Sequence, residues 1–580
     1  MHTQKNLNKK DIFLKRGRVV EIVLCFCFLA LVVRLAMLQI VMHDRYAKDA
    51  GIRQFVQKSI PPQRGSIYDR NGNILAMDIP AKTLYIDTRH VVNREETIKI
   101  LSAILKIPKS ELEKKFNEKY PRIKRKLSVE EYSEIEKAKI KGVVFEDEFM
   151  RIYPKGKLAC HVLGSTNVDG KGIEGIELQY DDILSGESGL AMILRDGRGN
   201  YLSSFSRIIK KPIRGRDIYL TIDERIQQIV EEEIEKCWET SNPKKISVIV
   251  VDPKNGEILA MANKPNFDPN YPGKFPAEYR KNYAITDLFE PGSIFKIVTA
   301  AAVLEEKKVG LNEVFNCEGG KWFVRGHILH DAHPYGALDF QQIIIKSSNI
   351  GTVKLAMKIG EETLYKYIKR FCFGEKTGID FPGEIRGILR PLEKWSGFSI
   401  TAIPIGQEVA VTCLQAIRAI SVFANGGYLV QPHILKKVEP ADPTKIISFP
   451  RSENIISSDT IKTLNSILAK VVSEEGTALK AKIQGYTICG KTGTAQKVEN
   501  GRYSHTKFVA SFLGFIPLED PKVAILVNVD EPKGAYYGGA VAAPVFKEIA
   551  WRIMQYMQIP PQTETIAMTN QLNHESKRPD

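Results

Sequence analysis

The sequence predicts a chain of mixed α/β class, α+β in type, that one N-terminal helix attaches to a membrane. Two observations predict the globular fold, namely the positions of the strand-like runs and the helical periodicity between them. Strand-like runs occur at 246–263 and again after residue 486, and helical periodicity dominates the stretch between them. Strands at both ends of a helical region indicate one sheet that is assembled from distant segments and packed by helices. The third observation is an apolar run near the N-terminus that is long enough to cross a membrane.

Length and composition are those of a globular protein with more than one domain. The chain has 580 residues, which exceeds what one hydrophobic core usually serves, and 43% of them are hydrophobic. Its formal charge of +15 is compatible with nucleic acid, an anionic membrane surface or an acidic polymer. No recognition helix or zinc finger accompanies the charge, so we expect no nucleic-acid partner. The cysteines show no zinc or redox spacing, and no metal or cofactor is predicted.

The first elements of the chain are a basic tail at 1–18 and a predicted transmembrane anchor at 19–42. The anchor has the roughly 20 apolar residues that a helix needs to span the hydrocarbon core. Its uninterrupted part, Ile22 to Val33, is also as long as the apolar region of a signal peptide, which is the alternative interpretation. No small-x-small cleavage site follows, and this favours an uncleaved anchor. The N-terminus then lies in the cytoplasm, and the rest of the chain lies outside the inner membrane, in the periplasm.

Two domains are expected after the anchor. Residues 43–213 are predicted to be an elongated, non-catalytic spacer, or pedestal, with a solvated helical insertion at 95–142 that is rich in Lys and Glu. The second domain, 214–556, opens with a strand-like run that ends at Asp223 and continues into an acidic amphipathic helix. A hairpin around a Pro-Lys-Asn-Gly turn follows. Residues 557–580 form a polar tail that we expect to be disordered.

The stretch GYTICGKTGTAQ, residues 485–496, matches the phosphate-loop pattern of nucleotide-binding proteins. The apolar run before an acid in VAILVNVDE, 523–531, agrees with that hypothesis. A phosphate loop requires a helix that begins at its Gly-Lys-Thr, because the helix dipole and amides hold the phosphate. Here strand-like alternation resumes after Gly493 and reaches an Asn-Gly turn at 500–501, and a compartment outside the cytoplasm offers no ATP. We therefore predict a strand at this position and no nucleotide partner.

Three short motifs of the same domain indicate acyl transfer by a serine. In FEPGSIFKIV, Ser293 follows a Pro-Gly turn at the head of an Ala-rich helix, and Lys296 lies three residues later on the same face. An isolated serine at such a position is usually only a helix cap. KSSNIG adds Ser347 and Asn349, and KTG adds Lys491. Ser-x-x-Lys, Ser-x-Asn and Lys-Thr-Gly in this order form a specific set.

With these motifs the chain resembles a class B penicillin-binding protein, of the penicillin-recognising serine transferase superfamily. The resemblance runs from the anchor to about residue 556 and includes RGSIYDRNG, RIYPKG and GIEGIE in the spacer and GQEVAVTCLQ at 406–415. DLFEPGSIFK together with SSN is similar to the division-specific, septal branch of the family. Cys489 stands where the family usually has a small residue, which places a thiol near the site.

The resemblance implies the fold and the reaction. It implies a dimerisation-like pedestal and a transpeptidase domain, like that of β-lactamases, whose mostly antiparallel sheet is sandwiched by helices. Ser293 would attack the terminal D-Ala-D-Ala of a peptidoglycan stem peptide, expel D-Ala and leave an acyl-enzyme that an amine of a neighbouring stem resolves. β-Lactams would acylate the same serine. A membrane glycan polymerase and division proteins are the implied partners.

The resemblance also implies how protons are handled. Lys296 would be the base, which requires its neutral form, and burial together with the cation of Lys491 favours that form. Ser347 would relay a proton toward the leaving amine. Asn349 would orient Lys296 and the substrate amide.

The remaining implied roles concern binding. Lys491, Thr492 and Thr494 would hold the terminal carboxylate of the substrate. The amides of Ser293 and Thr494 would form the oxyanion hole. Gly493 would keep the strand free of a Cβ atom where the substrate backbone approaches.

Other functions stay open at this stage. An elongation-type class B transpeptidase carries similar motifs, and a D,D-carboxypeptidase or a β-lactamase-like hydrolase uses the same set without needing a long spacer. A catalytically silent scaffold of the division machinery has no reason to keep Ser293, Lys296 and Lys491 together.

A metal site is the alternative for the histidines of RGHILHDAHPYG. His327, His330 and His333 lie at spacings of three, with Asp331 among them. The surrounding alternation predicts a strand pair, and residues three apart on a strand point to opposite faces. We therefore predict no metal here.

Overall fold

The structure is a computed structural model, and it describes residues 3–46, 48, 55–195, 201–441, 449, 451–499 and 501–561. The described chain divides into two compact units. One joins the residues up to Pro62 with Glu187–Ile213, and the other joins Gln63–Gly186 with the chain from Arg214 onwards. The tail predicted at 557–580 lies outside the described residues from residue 562.

The first unit contains the predicted anchor. One helix covers Thr3–Ala36 and continues as a wider π-helical turn at Met37–Val41. Its segment Ile12–Val41 is long and apolar enough to cross a membrane, which confirms the apolar helix predicted at 19–42. The unit also holds a three-stranded antiparallel sheet, in the order Phe55–Ile60, Gly189–Arg195 and Tyr201–Lys210.

The second unit begins with the part of the spacer that carries the predicted insertion. Two long strands, Ile74–Ile86 and Val143–Ile152, pair antiparallel. Between them lie the helices Arg94–Leu105, Lys109–Lys115 and Val129–Lys137 and the short strand Arg122–Lys124. The helices confirm the prediction for 95–142. They are more than a solvated surface, because Leu101, Leu112 and Ile135 are buried in a small core of their own.

A buried ion network joins three motifs of the spacer. Arg64 of RGSIYDRNG and Arg151 of RIYPKG each bind one oxygen of Glu177, from GIEGIE, at 2.7 Å. Asp78 accepts from the Arg64 amide at 2.9 Å and lies 3.3 Å from the Arg151 guanidinium. All four side chains are buried. One carboxylate therefore ties together segments that are far apart in the sequence.

A five-stranded antiparallel sheet is the framework of the second unit. Its order is Ile258–Lys264, Lys245–Val251, Val523–Asp530, Arg502–Ile516 and Cys489–Glu499. This order confirms a sheet assembled from distant segments, with the predicted hairpin at one edge. The helices Glu224–Ser241 and Gly538–Tyr556 pack together on one face, and Cys413–Ala424 packs on the other.

The Gly-Lys-Thr of the apparent phosphate loop lies inside the edge strand Cys489–Glu499. The strand predicted there is confirmed. Its backbone pairs with Arg502–Ile516, so the helix that a phosphate loop requires does not begin at this point.

The chain between the two edges of the sheet is mainly helical, as predicted. It contains the helices Lys296–Glu305, Phe340–Ile345, Asn349–Ile359, Glu361–Arg370 and Ser458–Val471. The predicted strand pair is formed by Lys321–Val324 and His327–His330. No group of three metal-binding side chains occurs in the described parts of the chain. Short elements complete the fold: the helical turns Cys160–Leu163, Gly175–Gln179, Asp181–Leu184, Tyr283–Thr286 and Ser399–Ala402, and the strands Ile67–Tyr68, Asp217–Leu220, Val314–Asn316, Ala337–Asp339, Tyr428–Val430, Leu435–Glu439 and Arg451–Asn454.

Candidate active site

The predicted nucleophile lies on a tight turn against the edge strand. Gly292, at φ +53°, reverses the chain, and its amide donates to the Gly406 carbonyl at 3.1 Å. Ser293 follows in the 3-10 turn Gly292–Phe295, and α-helix begins only at Lys296. Residues three apart in a 3-10 turn are eclipsed, so Ser293 and Lys296 still share one face. The Ser293 hydroxyl has no hydrogen-bond partner among the residues that the structure describes.

Lys296 is fully buried and is held by the Ser-x-Asn motif. Its Nζ donates to the Ser347 carbonyl and to the Asn349 side-chain oxygen, both at 2.7 Å, and lies 3.2 Å from the Ser347 hydroxyl. Burial lowers the pKa of Lys296 to about 7, although the Asp331 carboxylate acts in the opposite direction. A lysine with this pKa can accept a proton near neutral pH.

The Ser347 hydroxyl joins the two buried lysines. Lys491 reaches it at 2.8 Å from the edge strand, and Lys296 lies at 3.2 Å. The pKa of Lys491 is also lowered, first by its complete burial and then by the nearby charge of Lys296. Two cations that share one hydroxyl in a poorly solvated site repel each other, and this favours loss of a proton from the pair. Ser347 itself has a left-handed backbone, φ +59°, of the strained kind that clusters at functional sites.

Asp331 belongs to this site, although the sequence reasoning considered it only as a companion of the histidines. It accepts hydrogen bonds from the Ser348 hydroxyl at 2.7 Å and from the first two amides of the helix Asn349–Ile359. It therefore holds the first turn of the helix, whose N-cap is Ser348 and whose first residue supplies the side-chain oxygen for Lys296. No local motif marks this contact in the sequence, because Asp331 and the helix belong to different elements that meet only in the folded domain.

Gly493 brings the edge strand against the nucleophile turn. A Cβ atom at this position would lie 2.4 Å from the Ser511 hydroxyl, 3.0 Å from Cγ2 of Ile294 and 3.1 Å from the Pro291 carbonyl oxygen. Contacts within the protein therefore already require glycine here.

Thr492 and Thr494 alternate with Lys491 along the strand, so their side chains point to the opposite face of the sheet. The Thr492 hydroxyl lies 2.7 Å from that of Thr477, and the Thr494 hydroxyl accepts from the Gly538 amide at 3.0 Å. Because the strand is at the edge of the sheet, the outer side of its backbone has no partner strand among the described residues. A ligand can therefore meet the backbone of the motif as well as the Lys491 side chain.

The thiol of Cys489 is near the site in sequence, but its surroundings disfavour the reactive thiolate. It is buried and donates to the Asn465 carbonyl at 3.2 Å, and burial raises its pKa. A buried, protonated thiol is a poor nucleophile.

The structure thus brings Lys296, Ser347, Asn349 and Lys491 into one hydrogen-bonded cluster beside the turn of Ser293. This cluster, on an antiparallel sheet flanked by helices, defines the class of penicillin-recognising serine acyltransferases. Comparison with known proteins identifies the family within that class.

The penicillin-binding protein transpeptidase domain matches residues 246–550, and the penicillin-binding protein dimerisation domain matches residues 59–220. The chain belongs to the class B penicillin-binding proteins and is a serine-type peptidoglycan D,D-transpeptidase.

Curated relatives and solved structures cover nearly the whole chain. The probable peptidoglycan D,D-transpeptidase PenA of Neisseria meningitidis is 35% identical over 94% of each chain. Stage V sporulation protein D of Bacillus subtilis is 36% identical over 94% of this chain and 86% of its own, and peptidoglycan D,D-transpeptidase FtsI of Escherichia coli K12 is 31% identical over 94% and 93%. Penicillin-binding protein 3 of Mycobacterium tuberculosis, solved with aztreonam, matches with a TM-score of 0.69 at 28% identity, over 87% of this chain and 99% of that one.

Proposed function

We propose that this protein cross-links peptidoglycan stem peptides during septum formation, through an acyl-enzyme on Ser293, and that β-lactams acylate the same serine. The observation that carries the proposal is the Ser347 hydroxyl between the Nζ atoms of Lys296 and Lys491. A hydroxyl that contacts both amines can pass a proton between the base and the substrate side of the site.

Acylation transfers one proton and exchanges one bond. Neutral Lys296 takes the proton of the Ser293 hydroxyl while Oγ bonds to the carbonyl carbon of the penultimate D-Ala. The proton passes by way of Ser347 to the nitrogen of the terminal D-Ala as the C–N bond breaks and D-Ala leaves.

An amine of a neighbouring stem then attacks the ester carbon and gives its proton to Lys296. Ser293 recovers a proton as the new peptide bond forms.

The edge strand and the nucleophile turn bind the substrate. The backbone amides of Ser293 and Thr494 stabilise the oxyanion, each contributing roughly 10²–10³ in rate. Lys491 and the hydroxyls of Thr492 and Thr494 leave opposite faces of the strand, so the terminal carboxylate that they hold has to lie along its outer edge, which side chains of both faces can reach. The Thr494 hydroxyl accepts from Gly538 but keeps its own proton to donate, which supports this role. Asn349 orients Lys296 and the substrate amide.

A fluorescent penicillin tests the nucleophile. Mass spectrometry of the labelled chain should find the label on Ser293, and Ser293→Ala should abolish labelling. Ser466→Ala, which removes an exposed helix serine, is the matched control and should label like the wild type. Label on Ser347 or Cys489, or labelling that persists in Ser293→Ala, contradicts the assignment.

Depletion tests the septal role, which rests on DLFEPGSIFK with SSN and on the similarity to FtsI. Loss of the protein from its native cell should stop division while growth in length continues, so that filaments form. Rounded or widened cells would instead indicate an elongation role. Unchanged muropeptide cross-linking at the septum would indicate a silent scaffold for the division proteins and glycan polymerase that we expect as partners.

A further inference from the structure

A cavity of about 310 Å³ lies beside the nucleophile segment, and no residue of the three catalytic motifs lines it. The chain at 287–290, which ends three residues before Ser293, forms one wall. Apolar lining comes from Leu288, Phe289 and Val498 among others. The volume is at the lower end of the range for small-ligand sites.

The lysines of this cavity are already paired. Lys245 binds Asp287 at 2.5 Å, and Lys497 binds Asp530 at 2.8 Å. The third lining lysine, Lys244, lies 3.6 Å from Glu531, which is outside the lining. Two of the three lining carboxylates are therefore neutralised by lining lysines, and the third is Glu290.

Glu290 has no cation among the residues that the structure describes. Its Oε1 accepts from the Glu408 amide at 3.0 Å and from the Tyr503 hydroxyl at 3.3 Å. Its Oε2 is buried and has no donor in the described chain, and burial raises the Glu290 pKa. A buried carboxylate without a cation is costly, and a cationic donor that enters the cavity would favour its charged form. The cavity thus combines one unmatched acid with an apolar wall.

We propose that this cavity binds a peptide side chain that ends in a primary ammonium group, with the ammonium on Glu290 and the alkyl chain against Phe289 and Val498. The amine acceptor of the proposed reaction belongs to this chemical class. The binding rests on the cavity alone and does not require acyl transfer, so it can be tested apart from the proposed function.

Two capped amino acids test the proposal on the full-length protein in detergent micelles. Nα-acetyl-lysine methylamide carries the ammonium group, and Nα-acetyl-norleucine methylamide has the same main chain and lacks it. Saturation-transfer NMR without any β-lactam should show saturable binding of the lysine probe. The norleucine probe should bind about tenfold more weakly or worse, because it cannot bond a charged acceptor.

Substitutions identify the site. Glu290→Gln keeps the shape but removes the charge, and it should lose the lysine probe by a similar factor. Asp287→Asn, which removes a lining acid that is already paired, is the matched control and should retain binding. Val498→Trp fills the mouth of the cavity at a position that is 53% exposed, so it tests the site even if Glu290→Gln does not fold.

Three outcomes overturn the proposal: no saturable binding, equal affinity for both probes, or unchanged binding in Glu290→Gln or Val498→Trp. Penicillin labelling of Ser293 in the same samples reports separately on the proposed function.

Discussion

At the residue scale, burial lowers the pKa of Lys296 to about 7, and the neutral amine keeps its hydrogen bonds. A neutral amine has two N–H groups and one lone pair. The two contacts at 2.7 Å, to Ser347 and Asn349, take both N–H groups. In the proposed mechanism the lone pair is then left for the proton of Ser293, which is what a general base requires.

The protonation of Lys296 should set the pH dependence of acylation. The pKa is lowered from its ordinary value to about 7, so the neutral base is scarce below that pH and predominates above it. We expect the rate of penicillin acylation to rise with pH through about 7 and then to level off. Lys296→Arg should lose roughly 10²–10⁴ in rate, because arginine is not deprotonated in proteins. Stopped-flow acylation at constant ionic strength measures both, and a flat profile across this range would contradict the assignment.

Asp331 should act on the same profile as a positioning residue. Its carboxylate raises the pKa of Lys296, so Asp331→Asn should move the rising limb to lower pH. Both helix amides bond to one oxygen of Asp331, and asparagine keeps one side-chain oxygen, so the variant should stay folded. Asp339→Asn is the matched control, since Asp339 caps the neighbouring helix at 2.8 Å from the Gln342 amide without contacting Lys296. If the acylation rate rises over the same pH range in both variants, Asp331 has only a structural role.

At the element scale, the site depends on the close approach of the nucleophile turn and the edge strand. Gly292 and Gly406 bond backbone to backbone, and Gly493 leaves room for the Pro291 carbonyl and Ile294. These contacts define where Ser293 lies relative to the strand. A small shift between the two elements therefore misplaces the reacting hydroxyl.

Gly493→Ala should separate the two elements. The added methyl group meets Ser511 at 2.4 Å and the Pro291 carbonyl at 3.1 Å, and overpacking of this kind costs roughly 1–3 kcal/mol. We expect a lower melting temperature and penicillin labelling that is slowed further than the loss of folded protein explains. Gly336→Ala, at a glycine with open space around it and no positive φ, should change neither measurement. Wild-type labelling rates in Gly493→Ala would refute the role of this approach.

At the scale of the whole molecule, the second unit is held together by Glu177 as well as by its cores. Removing one partner of a buried ion network leaves uncompensated charge. Glu177→Gln should lower the free energy of unfolding by roughly 3–5 kcal/mol. Asp520→Asn, which breaks exposed pairs with Lys254 and Lys522, should cost less than about 1 kcal/mol. Urea unfolding of both variants measures the difference, and equal losses would show that the network does not stabilise the unit.

The topology of the chain in the membrane is a further prediction at this scale. If 19–42 is an uncleaved anchor with its basic flank inside, protease added to spheroplasts should digest the chain from about residue 43 onward. An epitope placed before residue 19 should survive in a short membrane fragment, and it should be lost when the cells are lysed with detergent. A mature soluble protein that begins near residue 43 would show that the segment is a signal peptide.

The sequence by itself determined the features that depend on neighbouring residues. The apolar N-terminal helix, the hairpin at 246–263 and the strand through Lys491 follow from local periodicity, and the three candidate motifs are short contiguous stretches of sequence. The resemblance to class B penicillin-binding proteins followed from those motifs and was confirmed. The roles of the individual site residues stay predictions.

Tertiary structure alone decided which groups meet. Ser293 lies in a 3-10 turn where the sequence predicted the head of an α-helix, and the turn contacts Gly406 through the Gly292 amide. Asp331 contacts a helix that lies elsewhere in the chain, and the Ser347 hydroxyl contacts a lysine of the edge strand. Glycine is required at position 493 because Ser511 of the next strand would meet a Cβ atom there. The local spacing of apolar residues indicates which face of an element is apolar. Capping across elements, burial of a lysine and the resulting pKa depend on distances that exist only once the whole core has packed around them.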